Sequence, residues 1–162
     1  MSIQSTKQPF GYHWLSPHRR STIARAALCL GALSVLATGV DHIQQYYSDD
    51  YSTVPTIGTL FFLNFVSAVI VAVGLIAPLG RVAGRYADAI RALFAVGGIG
   101  IAVLSLAALF VSESSGLFGF VEHGYRMAIA VAIVVEVAAT VFLVIFLAAN
   151  GTGLQAIRSR SQ

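Results

Sequence analysis

An acid in the middle of a long apolar run is the residue of this chain best suited to chemistry. Glu136 sits inside the run from Tyr125 to Ala149. At 1.5 Å per residue it lies roughly 16 Å from the run's start, near the centre of a bilayer. A free carboxylate there costs on the order of 3 kcal/mol, so the group must be protonated, paired, or turned towards a wet cavity. Ala132, Ala139 and Thr140 share its helical face and make that face small and slightly polar, which directs it towards other helices rather than lipid. Two kinds of chemistry fit: a proton-coupling carboxylate, or a ligand for a cation. The bland alternative is a neutral acid hydrogen-bonded to a neighbouring helix.

Asn64, roughly 10 Å into the second apolar run, is its expected partner. Ala68 and Ala72 continue its face at steps of four. An ordinary interhelical hydrogen bond, worth about 0.6 kcal/mol, is the favoured reading of Asn64.

A second concentration of polar residues lies near one end of the runs. Asp41 and His42 stand beside Gln44, Gln45, Tyr46 and Tyr47, and Glu122 and His123 precede the fourth run with Arg126 one turn on. Imidazole with carboxylate suits zinc, copper or iron, so a metal or haem site built on His42 and His123 is one candidate. The spacing is not diagnostic, because adjacent Asp-His and Glu-His pairs do not share a helix face. The preferred reading is structural. Tyr46, Tyr47 and Tyr51 form an interfacial aromatic belt whose polar neighbours sit in water or headgroups, and Glu122 pairs with Arg126 at (i, i+4). No cofactor is assigned.

The elements that must position these groups follow from composition. The 162 residues are 57% hydrophobic and 10% charged, with a mean hydropathy of +0.79. Soluble domains carry about 25% charged residues, so the chain belongs in lipid. The apolar runs are 23–43, 57–78, 89–111 and 125–149, each at or above the roughly 18 residues that read as a spanning helix. Lipid offers no hydrogen-bond partner, so continuous runs of this length must be helical. Pro55 precedes the second run and Pro78 ends it, positions where proline costs least. The expected fold is all-α: a polytopic integral membrane protein with an antiparallel four-transmembrane-helix bundle at 23–149, between an N-terminal tail at 1–22 and a C-terminal tail at 150–162. A rival reading takes the first run as a cleaved signal peptide. The length of the leading tail and the continuation of the run past Ala37 favour its retention.

Of the 10 basic residues, only Arg126 falls on the side opposite the tails. Basic excess marks the cytoplasm, which places both termini there and the protein in the plasma (inner) membrane. Arg81, Arg85 and Arg91 between the second and third runs are expected on anionic headgroups. The net charge of +3 is thus a matter of topology, not a nucleic-acid footprint.

Little chain remains for a catalytic domain, and a single cysteine, Cys29, precludes a disulfide or a thiolate cluster within the chain. No catalytic constellation is evident, so an enzyme is not expected. Three functions remain, in this order. The first is an accessory or scaffold subunit whose partner is another membrane protein or a second copy; the stripe Gly97, Gly98 and Gly100 with Ala102 and Ser105 is expected to be the inner packing seam of the third helix, and secondarily a dimerisation face. The second is a proton-coupled small-solute transporter or sensor using Glu136. The third is a metal or haem protein using His42 and His123. A shared cavity at Glu136, Asn64 and His42 would favour the second, and a dry interior the first.

Overall fold

The computed structural model describes residues 17–119, 121 and 127–158. Among these residues the chain is all-helical, and four helices are long and apolar enough to cross a membrane. They are α1 (Pro17–Ser48), α2 (Ile57–Ile76), α4 (Ala87–Ser114) and α5 (Met127–Arg158). A 3-10 turn, Tyr51–Thr53, joins α1 to α2. A short helix α3 (Leu79–Val82) and a second 3-10 turn, Gly84–Tyr86, join α2 to α4.

Three of the four helices outrun the apolar stretches that announce them. Hydropathy marks what lipid tolerates, whereas a helix continues until the backbone is stopped. Nothing stops α1 until Asp50, which adopts the left-handed conformation (φ 59°) that Asp tolerates better than most residues. The opposite happens in α2, which ends at Ile76, short of Pro78. The proline ring disfavours helical geometry at the residue before it, and Ala77 turns to ψ 146°. The carbonyls left open there are taken by Arg91, whose Nε donates to Leu75 O at 3.2 Å and whose Nη2 donates to Ala77 O at 3.1 Å. The Arg91 guanidinium is therefore used inside the protein, where headgroup contact was expected. Arg81 and Arg85 are exposed.

Helix α1 packs along α2 and α5, and α4 packs along the same two helices. Small residues set the spacing. Ala95, Gly98 and Ala102 form one buried stripe of α4 at helical steps, meeting Ala68, Val71 and Leu75 of α2 and Ala139 and Leu143 of α5 in a single core. A Cβ on Gly98 would lie 2.7 Å from Leu143 Cδ1, 3.1 Å from Val35 Cγ2 and 3.3 Å from Val71 Cγ1, so all four helices converge at this glycine. The expectation that Gly97, Gly98 and Gly100 share one seam needs correction. Gly98 is at its centre, with Ala102 buried beside it; Gly97 is exposed at its edge, where a Cβ would lie 3.7 Å from Val71 Cγ2, and nothing lies within 4 Å of a Cβ added to Gly100.

The distribution of polarity is inverted relative to a protein in water. Leu33, Leu93 and Val134 are 63%, 71% and 66% exposed, while Glu136 is 1% exposed. Apolar side chains face outward on all four long helices, as a surface in contact with lipid requires.

Gly98→Val is expected to destabilise the protein by about 1–3 kcal/mol through overpacking, whereas Gly100→Ala leaves stability unchanged or raises it by up to about 1 kcal/mol. Thermal unfolding of the two variants in detergent checks this. Equal melting temperatures would remove Gly98 from the packing centre.

Candidate functional site

Along α1, Val35, Thr38, His42 and Gln45 recur at steps of three and four, which places them on one face of the helix. All four are buried, as is Asp41. Their polarity alone argues for water or headgroups around Asp41 and His42. They lie inside instead, because α1 runs on to Ser48 and its inward face becomes polar in the last three turns. Gln45 Nε2 donates to Asp41 Oδ2 at 2.6 Å, one turn apart, so the buried carboxylate has a partner on its own helix. His42 Nδ1 lies 2.9 Å from Thr38 O. A carbonyl only accepts, so Nδ1 carries the hydrogen and Nε2 is left for other contacts.

Opposite this face, Asn64 of α2 donates through Nδ2 to Ser105 Oγ of α4 at 2.6 Å. The expected direct bond from Asn64 to Glu136 is absent from the described contacts, because α2 and α5 do not pack on each other. Ser105 stands between them. Its hydroxyl accepts from Asn64, and Ser105 and Glu136 line the same cavity. Thr140 takes no part, since its Oγ1 donates to Glu136 O at 3.0 Å, within its own helix. The small face expected around Glu136 is present, with Ala132 and Ala139 buried.

A cavity of about 120 Å³ lies between the helices. Its polar wall is His42, Gln45, Asn64, Ser105, Ser112 and Glu136, and the rest is apolar, with Leu60, Phe61, Leu109 and Ile129 among the lining residues. Tyr51, from the turn between α1 and α2, stacks on Phe61 at 4.6 Å between centroids, and Phe61 lies 4.8 Å from the His42 ring. The turn presses closely on α2, since a Cβ on Gly58 would lie 2.5 Å from Tyr51 O. Two buried polar atoms, Glu136 Oε1 and Asn64 Oδ1, have no hydrogen-bond partner. Buried polar atoms are nearly always satisfied, so two orphans on one cavity wall call for a chemical reason. No Lys or Arg lines the cavity among the described residues.

Sequence reasoning singled out Glu136, Asn64 and His42, and the fold brings all three to one cavity. It missed Ser105 as the bridge between helices, Gln45 as the partner of Asp41, and Tyr51 with Phe61 as an aromatic wall. The period of α1 held the signal for Gln45. No local pattern marks Ser105, whose role depends on which helices are neighbours. Glu122, His123 and Arg126 lie outside the described residues, so the expected Glu122–Arg126 pair and the metal reading of His42 with His123 have no geometry to be read. Among the described residues, no group of three His, Cys, Asp or Glu side chains is placed to hold a metal ion.

Known protein families, curated protein sequences and solved structures offer no match to this chain.

Removing the bridge by Ser105→Ala leaves Asn64 Nδ2 buried without its acceptor, at an expected cost of about 1–3 kcal/mol. Thr140→Val is expected to change stability by less than about 0.5 kcal/mol, since it removes only a bond back to the helix backbone. Chemical or thermal unfolding in detergent distinguishes the two, and equal losses would deny Ser105 its bridging part.

Proposed function

We propose that this protein is a plasma-membrane antiparallel four-helix bundle that takes a small solute into the cavity at Glu136, as a proton-coupled transporter or sensor. The observation that carries the reading is the meeting of Glu136, Asn64 and His42 around one cavity with two unpartnered acceptor atoms. Such a group, placed where ions are costly, is best explained by an occupant or a proton that satisfies it. Glu136 is the coupling acid, Asn64 and Ser105 line the cavity beside it, and His42 contributes Nε2. The cavity draws on the end of α1, the first half of α2, the second half of α4 and the first half of α5. With the basic residues gathered near the termini, the site faces the outer side of the membrane and both termini are cytoplasmic. Exposed Arg81 and Arg85 then rest on anionic headgroups of the inner leaflet.

The scaffold reading ranks second. Exposed Gly97 and the open surface at Gly100 favour close approach by another helix, but that reading gives the buried Glu136 nothing to do.

In proteoliposomes carrying an internal pH dye under an imposed potential, the wild-type protein is expected to carry protons. Glu136→Gln, which keeps shape and removes the titratable oxygen, is expected to reduce that flux to the level of empty vesicles. Equal fluxes for the two proteins would end the proton-coupled reading.

A further inference from the structure

The chemical class of the occupant follows from the wall that receives it, granted the solute-binding reading above. We infer that the cavity binds a small primary ammonium compound with a short apolar tail, its charged head between Glu136 and Asn64.

Four observations bear on this. First, both orphaned atoms are oxygens, Glu136 Oε1 and Asn64 Oδ1, and once Glu136 is ionised by a cationic partner both accept hydrogen bonds. The Asn64 amide is fixed in that sense, because its Nδ2 is already donating to Ser105. His42 Nε2 adds a third polar atom, since Nδ1 is engaged by Thr38 O. An ammonium group has three donors and no acceptor, so it can serve several such atoms at once, whereas an alcohol offers one donor. Second, the charges on the described wall favour a cation over an anion. Glu136 brings a carboxyl group to the cavity, and among the described residues no Lys or Arg lines it. A carboxylate solute would meet like charge in a medium that screens it poorly.

Third, the remaining wall is apolar and aromatic. Leu60, Phe61, Leu109 and Ile129 suit a hydrocarbon tail, and ring faces attract cations. A bare metal cation is poorly served by such a wall, because hard cations collect about six or more oxygen ligands. Fourth, the size limits the molecule. A cavity of about 120 Å³ is a little smaller than the ~150 Å³ one that accepts benzene, so the occupant has about four to six non-hydrogen atoms.

The test uses the full chain in lipid nanodiscs at neutral pH, with potassium as the only other cation. Radiolabelled n-propylammonium is the probe, and propionate and 1-propanol are size-matched competitors. Saturable binding of propylammonium is expected, with propionate failing to displace it and 1-propanol displacing it only at concentrations at least about tenfold higher, the separation that one charge-assisted hydrogen bond supplies. Glu136→Gln is expected to weaken binding by about tenfold or more, and Asn64→Leu by a smaller factor. Gel-filtration profiles and melting temperatures identify any variant that fails to fold, and the competition among the three wild-type ligands decides the matter without variants. Propionate or 1-propanol binding as tightly as propylammonium overturns the inferred class while leaving a solute-binding cavity. No binding of propylammonium by a preparation whose proton flux depends on Glu136 overturns the inference alone. If the flux is also insensitive to Glu136→Gln, the underlying reading falls with it.

Discussion

Hydrocarbon cannot solvate a carboxylate or complete a backbone hydrogen bond, and helices apolar enough to cross a membrane bring their embedded polar side chains to face one another in the interior. Asp41 is held by Gln45, His42 by Thr38, and Asn64 by Ser105. Arg91 answers the same demand at the other end of α2 by satisfying carbonyls that Pro78 leaves open.

The interior divides into two regions with different packing. Around Gly98 the residues are alanine, valine and leucine, and close approach of helices excludes any space. Around Glu136 the same four helices carry polar and aromatic side chains, and a cavity remains. Close packing in one half is what allows a gap in the other. Helices fixed at short separation by small residues cannot slide together to fill a distant void, because cores of this density deform in discrete steps.

The polar groups around the cavity are only partly satisfied. A network that serves only stability ends with every donor and acceptor matched, since an orphan in a low-dielectric interior is costly. Here Ser105 and Asn64 satisfy each other while Asn64 Oδ1 and Glu136 Oε1 are left over on the same wall.

The amino-acid sequence alone determined that four helices form and which residues are too polar to face lipid, because the period and length of apolar runs act locally along the chain. Glu136 stands out for that reason, as does Asn64. The sequence also held, in the spacing Val35, Thr38, His42, Gln45, the inward turn of the end of α1, although the polarity of Asp41 and His42 argues for the surface when read without that period. Only the tertiary structure decided that Asn64 reaches Ser105 rather than Glu136, that Gly98 and not Gly100 marks the packing centre, and that Tyr51 and Phe61 wall the cavity. Each of these depends on which helix lies beside which and at what rotation. Periodicity fixes the face a residue occupies, but the neighbour across that face is set by packing among all four helices at once.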